Sequence, residues 1–468
     1  MHQTCSADSN AVVRARLARA AVCAALAAAL ASSAAAAAER TVLRNGITVI
    51  ARQDASSDIA GVQLLIGVAQ GHEGADHDGI RTLLGEMLLQ GLRGRLQDSA
   101  ELEPLRRQQD AAPERVPFNT GTHWGFASLH GAVTSDALPD CLRLLASAAF
   151  EAELTQEQLV KSRDALNATR AQSLERDPVR QTYLLLRKAL TGESRAAVSL
   201  LGTEEALARI SLDGVFGFWK SAYAPSNAYV AIVSPLPTGK AVALAKDAFG
   251  RFPAGPRLAE ADPLPADAAD VEVEGSRDLL RLARPNSPPP ASLMLGVPIP
   301  PTGSPDAVVA EVISAILGRP DGSLARDREL TKALPFATLS PLAPVQTLLI
   351  RGGAVAPHMT VQAFCDAYKI EDAKAALLGH LKRLQTEQVA EADLAAAQAF
   401  VINQAAREHE TKLDQAELLA KSEVLGSGYK HDAAFARLVA DVTPQDVRRV
   451  ARQYFRRPAL AVQLPVSP

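Results

Sequence analysis

The sequence is poor in cysteine and has no apolar run long enough to cross a bilayer. Only four cysteines occur in 468 residues, and Cys5 and Cys23 lie in an N-terminal segment with the features of a removable leader. Beyond that segment, no stretch approaches the ~20 uninterrupted apolar residues of a membrane-spanning helix. The sequence therefore predicts no stable membrane span and at most one disulfide bridge.

Cys141 and Cys365 are the two cysteines outside the leader. In an oxidising compartment they could form that bridge. We favour two buried thiols on separate helices, because the sequence gives no evidence that the two residues lie close together.

Two common catalytic motifs are missing as well. There is no Gly-x-Ser-x-Gly sequence, which a nucleophile elbow requires. Gly426-Ser427-Gly428 follows a helical pattern, where glycine is the usual C-terminal cap, and no phosphate-binding loop is present.

The composition is that of a globular protein. Hydrophobic residues make up 47% and charged residues 22%, which excludes a long disordered or collagen-like chain. The length allows two or three domains. The formal charge is −3, and the leader, with three arginines against Asp8, contributes +2, so the rest carries −5. This balance argues against nucleic acid as a partner.

The leader predicts export. Arg14, Arg16 and Arg19 precede an apolar run at 20–30, and small residues continue to Ala38, where cleavage is expected. We therefore predict a signal peptide over 1–38 and a periplasmic or secreted protein.

The order of elements after the leader predicts a strand pair followed by long helices. Asn45-Gly46 lies between two β-rich runs at 41–52 and favours a tight hairpin. A third apolar run occupies 62–68, and Asp78 is the expected N-cap of the first long helix. Thr155 and Gln158 form a capping-box pattern before the next long helix.

Part of this order repeats after a segment rich in Pro, Ala and Asp at 253–269. A capped helix leads into an apolar strand over 211–233, and the same pattern recurs over 443–464. Further strands are expected at 279–283 and 292–297, and a helix at 307–317. The sequence predicts an α+β protein with homologous domains at 39–252 and 270–468, joined by the linker 253–269.

Several motifs in this order resemble the pitrilysin/insulinase zinc peptidases, in particular the smaller bacterial members similar to mitochondrial processing peptidase. They are L-x-N-G-I-x-V at 43–49, G-I-R-T-L-L-G-E-M-L-L-Q-G at 79–91, D-P at 177–178, Y-A-P-S-N at 223–227, I-L-G at 316–318 and V-T-P-Q-D-V at 442–447. The resemblance implies two homologous domains, each a mainly antiparallel sheet with long helices on one face. Together they would form half of a clamshell around a substrate chamber.

The catalytic residues of the family are replaced in this chain. Active members bind zinc through H-x-x-E-H on the first long helix. The two histidine positions fall on Thr82 and Glu86, and the glutamate position falls on Gly85. The third ligand falls at or near Thr169, and a supporting glutamate falls near Ser162. We therefore expect no catalytic residues and no bound zinc.

Other histidines are poor substitutes for the lost ligands. His72 and His77 lie in a loop, and the odd spacing of His123 and His130 would place them on opposite faces of one strand. Active relatives also use an arginine and a tyrosine from the second domain to hold substrate. Arg328 and Phe336 lie at or near those positions, and a surface role for Arg328 is the favoured alternative.

These features predict a non-catalytic subunit that pairs with an active insulinase-family homologue and helps to enclose or bind extended peptide. Two alternatives remain open at this stage. One is an active zinc metalloendopeptidase with displaced ligands, and the other is a structural or peptide-binding scaffold without a peptidase partner.

Overall fold

The protein is described by a computed structural model that covers residues 37–74, 76–111, 118–173, 177–191, 198–259, 272–277, 291–328, 330, 345–350 and 357–465. The described residues form two mixed β-sheets with helices. Leader residues 1–36, the linker residues 260–269, the expected strand at 279–283 and Phe336 lie outside these ranges. None of the described helices is both long enough and apolar enough to span a membrane.

The first sheet is formed before the linker. Its strands are β1 (Glu39–Val42), β2 (Thr48–Gln53), β3 (Ile59–Ile66), β4 (Phe118–Thr122), β5 (Ala127–Thr134) and β6 (Ala228–Ser234). They lie in the order β1-β2-β6-β3-β5-β4, and only the β2–β6 pair is parallel. The expected hairpin at 41–52 is present, and the expected apolar strand is β3.

The second sheet repeats this arrangement after the linker. Its strands are β7 (Glu272–Arg277), β8 (Ala291–Pro298), β9 (Val345–Ile350), β10 (His358–Cys365) and β11 (Ala459–Pro465). Their order is β7-β11-β8-β10-β9, with β7 parallel to β11 and all other pairs antiparallel. Without β1, the first sheet has the same order and the same pattern of directions. The predicted internal repeat is therefore a repeat of topology.

Fourteen helices surround the two sheets among the described residues. They are α1 (Ile80–Asp98), α2 (Glu103–Ala111), α3 (Leu138–Phe150), α4 (Gln156–Ser173), α5 (Pro178–Thr191), α6 (Glu204–Arg209), α7 (Leu212–Ala222), α8 (Thr238–Phe249), α9 (Ala307–Gly318), α10 (Ile370–Thr386), α11 (Glu391–Arg407), α12 (Lys412–Val424), α13 (His431–Ala440) and α14 (Pro444–Tyr454). The predicted fold class, α+β, is confirmed.

Of the capping residues of α1, α4 and α14, two were predicted correctly from the sequence. The Thr155 and Gln158 side chains and backbones bond reciprocally at the start of α4. Thr443 forms the equivalent capping box at α14. The expected cap of α1 was wrong, because the N-cap is Gly79, whose φ of 90° suits glycine. The Gly79 N–H donates to Glu73 Oε2 (2.8 Å), a loop carboxylate that takes the place expected for Asp78.

Alternating residues of each strand point to opposite faces, and helices from the same half of the chain cover one face. In the first sheet this face meets α1, α3, α7 and α8, and in the second it meets α9, α10 and α14. Each of these two clusters forms a separate apolar core. Cys141 is buried in the first core and Cys365 in the second, both as free thiols. Cys365 ends strand β10 and does not lie on a helix as expected.

The second face of each sheet is covered by a helix from the other half of the chain. Helix α12 packs on the first sheet against Ile50, Leu65 and Val233. Helix α5 packs on the second sheet, where Leu186 and Leu190 meet Met294, Ala459 and Ala461. The two halves therefore exchange helices reciprocally.

The approach of α12 is close enough to require a glycine in the sheet. A Cβ atom on Gly61 of β3 would lie 2.4 Å from the Lys412 carbonyl carbon and from the Leu413 nitrogen. Lys412 is buried here, and its Nζ donates to the carbonyl oxygens of Asp54 (2.6 Å) and Ser57 (2.7 Å). The ammonium group loses water on burial but keeps hydrogen-bond partners from the first half.

Buried polar contacts attach α5 to the second sheet. The Thr182 hydroxyl donates to Ser292 Oγ (2.8 Å), and the Gln463 amide donates to Gln181 Oε1 (2.5 Å). The Tyr183 hydroxyl lies 3.1 Å from His358 Nε2. These contacts fix the position of α5 on the sheet more precisely than apolar packing alone.

A charged cluster joins the two halves beside α12. Arg52 of β2 donates to Asp432 Oδ2 (2.9 Å), and His409 Nε2 lies 2.7 Å from Asp432 Oδ1. The hydrogen bond with Asp432 raises the pKa of His409 despite the opposing effects of burial and of Arg52. Burial alone would raise the pKa of Asp432, but His409 and Arg52 lower it overall.

The first part of the predicted linker is bound to the first half of the chain. Ser226 Oγ donates to the carbonyl oxygens of Gly255 (2.8 Å) and Pro256 (3.0 Å), and the Leu258 N–H donates to Asn227 Oδ1 (2.9 Å). Residues 253–259 thus follow the surface of the first half, and the linker boundary stays a prediction.

The close approach at Gly61 predicts a large effect of a single methyl group. Gly61→Ala should destabilise the protein by roughly 1–3 kcal/mol, because the backbone of α12 must move. Gly296→Ala is the matched control, since its Cβ would meet only movable leucine side-chain ends at 3.0–3.1 Å. Urea unfolding should show the smaller loss for Gly296→Ala, and equal losses would contradict this account of the interface.

The His409–Asp432 pair predicts a pH-dependent contribution to stability. Because the folded pKa of His409 is raised, the contribution is complete below the unfolded pKa of about 6.5 and is lost as the pH rises through the folded pKa. His409→Gln should therefore destabilise the protein more in mildly acidic buffer than in alkaline buffer. Unfolding curves with the same stability difference at both pH values would refute the linkage.

Candidate functional site

The positions that the family resemblance assigns to zinc ligands lie on two antiparallel helices, α1 and α4. The Gln90 amide of α1 donates to Ser162 Oγ of α4 (2.8 Å), and Gly91 faces Gln158. From that contact, Thr169 lies two turns along α4 in the direction that returns toward the start of α1. The helical rise therefore places Thr169 at the level of Thr82 and Glu86.

The hydroxyl groups at this level are engaged in other hydrogen bonds. Thr82 Oγ1 donates to the Leu200 carbonyl oxygen (2.6 Å), and Thr169 Oγ1 donates to the Ala165 carbonyl oxygen (2.9 Å). Ser162 is fully buried. Glu86 is half-buried, and its carboxylate has no hydrogen bond or ion pair with the part of the chain that the structure describes.

This donor set does not fit catalytic zinc. A catalytic site needs three protein ligands, usually histidine nitrogen or carboxylate oxygen, and an open position for water. Among Thr82, Glu86, Ser162 and Thr169, only Glu86 carries such a donor. Within the described ranges, no group of three or more His, Cys, Asp or Glu side chains is arranged to hold a metal ion.

The start of α1 is held by a buried ion pair instead. Arg81 is fully buried and donates through Nε to Glu73 Oε1 (2.6 Å). Its Nη1 atom donates to the carbonyl oxygens of Val68 (3.0 Å) and His123 (2.6 Å). These hydrogen bonds join α1 to the loops around it. Removing either Glu73 or Arg81 would leave the other as an unpaired buried charge, which is strongly destabilising.

Strand β4 lies beside α1 at an edge of the first sheet, with β5 as its one neighbour among the described strands. Gly85 faces β4, and a Cβ atom there would lie 3.7 Å from Thr120 Oγ1 and 3.8 Å from Thr122 Oγ1. The Thr120 N–H donates to Asn119 Oδ1 (2.9 Å). Because the Thr120 N–H is bonded to a side chain, it is not used in the backbone hydrogen bonds between β4 and β5.

A cavity of about 570 Å³ opens between the two halves of the chain. The turn between β4 and β5 forms one wall with Trp124 and Phe126, and α11 and α13 add Phe400 and Phe435. Burial lowers the pKa of His123, which also lines the cavity, to about 4, with Lys421 as a further cause. None of the degenerate zinc positions lines this cavity.

The remaining candidate residues do not form a site together. Arg328 is exposed, which agrees with a surface role. His72 Nε2 contacts the Ala259 carbonyl oxygen (2.9 Å). His123 lies in the turn after β4 and His130 lies in β5, so the expected single strand is a hairpin.

Comparison with known proteins now identifies the fold. Residues 209–401 match the family model of the peptidase M16 inactive domain. The chain has the M16, or insulinase, peptidase fold. The expected resemblance to the pitrilysin/insulinase family is confirmed at the level of the fold, and the match to an inactive domain agrees with the lack of H-x-x-E-H. No curated protein matches the sequence.

Solved structures with the M16 fold cover nearly the whole chain. A peptidase M16 inactive domain from Pseudomonas fluorescens aligns with a TM-score of 0.76 and 17% identity, covering 92% of this chain and 99% of that one. A chain of complex III2 from Candida albicans gives 0.71 and 17%, with 91% and 95% covered. The first half of the periplasmic protease PqqL from Escherichia coli gives 0.67 and 14%, with 91% and 92% covered.

Sequence reasoning missed the residues that stabilise this region. Glu73 lies in the loop that contains His72 and His77, and Arg81 was not singled out. Its position next to Thr82, on the helix where active M16 members carry zinc ligands, was the available signal. Nothing in the sequence pointed to Asn119, because its bond to the Thr120 N–H depends on the conformation of the strand.

The helix register predicts that zinc binding can be rebuilt. The wild-type protein should contain no stoichiometric zinc. Thr82→His with Glu86→His and Thr169→Glu should bind zinc, because the three side chains lie at one level of α1 and α4. Elemental analysis after dialysis measures this directly.

Arg93→His with Gln97→His is a matched control on exposed positions one turn apart on α1. It adds two histidines but no third ligand, so it should retain less zinc. If the triple variant folds and holds no more zinc than this control, Thr169 is not at the level of the former ligands.

Proposed function

We propose that this chain is the non-catalytic member of a pair of M16 proteins and that it helps to enclose extended peptide. The observation that carries the proposal is that the region of the former zinc site keeps its fold without its donors. Helix α1 is held by Arg81 and Glu73 and lies beside β4, whose outer edge has no described neighbour. An active homologue would supply the metal and the chemistry.

Edge strand β4 is the surface that we assign to peptide. An extended peptide can add to a sheet edge through backbone hydrogen bonds, with little dependence on side chains. Without peptide, the Thr120 N–H donates to the side-chain oxygen of Asn119. The peptide would displace the Asn119 side chain and accept from the same N–H.

We further propose that the pair works outside the cytoplasm, as a periplasmic or secreted protein. This proposal rests on the leader at 1–38, with its arginines, apolar run and small residues before Glu39.

Pairing can be tested by co-expressing the chain with a homologue that retains H-x-x-E-H. The two proteins should co-purify, and this chain should raise the peptidase rate of the homologue without adding zinc. A chain that stays monomeric and leaves the peptidase rate unchanged would remove the subunit proposal.

The β4 edge can be tested in the same assay with two opposite variants. Thr120→Pro removes the N–H, and an edge strand tolerates proline, so peptide binding should fall about tenfold while pairing persists. Asn119→Ala frees the N–H and should leave binding equal or stronger. If Thr120→Pro binds peptide as the wild type does, β4 is not the peptide site.

A scaffold without a peptidase partner is the second candidate. It is favoured by the similarity to a chain of complex III2, a multisubunit assembly. In that case the chain should enter a larger complex and have no effect on any peptidase rate. An active peptidase with displaced ligands has less support, because the donors near Glu86 do not fit zinc.

A further inference from the structure

A row of arginines runs along the last helix of the second half and into the turn that follows it. Arg448 and Arg452 lie one turn apart on α14, about 6 Å along its axis, and Arg456 follows in the turn after the helix ends at Tyr454. Together with Gln445, Arg449 and Gln453 they line a groove of about 420 Å³. We call these three residues the arginine row.

The arginine row has no carboxylate partner within the described part of the chain. Arg452 Nε donates to the Gln385 carbonyl oxygen (2.6 Å), and Arg456 Nε donates to the Arg452 carbonyl oxygen (2.9 Å). Both contacts leave the guanidinium charge uncompensated. By contrast, Arg449 is paired with Asp306 and Asp446, so the positive potential is strongest toward Arg456 and Arg457.

The internal repeat indicates that the fold does not require this row. Helix α7 is the counterpart of α14. Each helix is capped by a hydroxyl side chain, Ser211 in α7 and Thr443 in α14. Each also leads into the strand that forms the one parallel pair of its sheet, β6 after α7 and β11 after α14. Counted from the caps, Phe216, Lys220 and Ala224 of the first half take the places of the arginine row. Of these three equivalent residues in the first half, only Lys220 is positively charged.

We propose that the arginine row binds phosphate head groups at the surface of an anionic lipid bilayer. Guanidinium groups pair well with phosphate oxygens, often through two hydrogen bonds. No apolar or aromatic residue lines the groove, whereas the centre of a protein interface normally contains such anchors. The rest of the predicted mature chain is acidic, so only this side of the molecule would face an anionic membrane.

The test is co-sedimentation of the purified protein with vesicles. The protein should bind vesicles of equal parts phosphatidylglycerol and phosphatidylcholine, should bind pure phosphatidylcholine far less, and should dissociate in high salt. Arg448→Gln with Arg452→Gln and Arg456→Gln should weaken binding roughly a hundredfold, since each arginine contributes separately.

Two further variants separate the row from general charge and from folding. Arg44→Gln with Arg93→Gln and Arg257→Gln removes the same charge from exposed sites without described partners, and it should bind almost as the wild type does. Arg448→Gln with Arg457→Gln removes no described hydrogen bond, so it should fold normally and still bind more weakly.

Several results would overturn the proposal. Equal binding by the row variant and its charge-matched control would show that the row is not the contact. Wild-type protein that ignores phosphatidylglycerol but is retained by polyglutamate through the row would assign the groove to an acidic protein. Release from vesicles by dilute glycerol phosphate would assign it to a soluble phosphate compound.

Discussion

Each sheet of this protein has two apolar faces, and the helices of one half of the chain cover only one of them. The other face is covered by a helix from the opposite half, α12 on the first sheet and α5 on the second. An uncovered face would expose contiguous apolar surface to water. The exchange therefore makes the two halves interdependent, although each has its own sheet and its own main core.

The exchange also explains where buried polar groups are found. Lys412 and the Arg52–Asp432 pair are polar contacts between α12 or its neighbour and the first half, and Thr182 bonds to Ser292 under α5. Such groups are expensive to bury unless their partners are placed accurately. They select one position for each exchanged helix where apolar contacts would allow several.

Within the described part of the chain, the framework around the positions expected for zinc ligands is held by contacts that involve no metal. Helix α1 is fixed by Glu73 and Arg81, and Thr82 and Thr169, two of the positions expected for zinc ligands, donate to carbonyl oxygens. What remains for function are surfaces: the β4 edge, the cavity between the halves and the groove on α14. The repeat helps to recognise them, since a feature present in one copy only, such as the arginine row, is not required by the fold.

The sequence by itself determined the local features. The hairpin around Asn45-Gly46, the caps at Thr155, Ser211 and Thr443, the repeated helix-strand pattern and the absence of H-x-x-E-H all follow from neighbouring residues. Only the tertiary structure decided that Gly79 begins α1, that Arg81 and Lys412 are buried, and that α5 and α12 cross to the opposite sheets. The physical reason is that periodicity shows that a helix has an apolar side but not which sheet it covers. That choice depends on contacts between residues far apart in the chain, such as Gly61 and Lys412, where only a glycine leaves room for the approaching backbone.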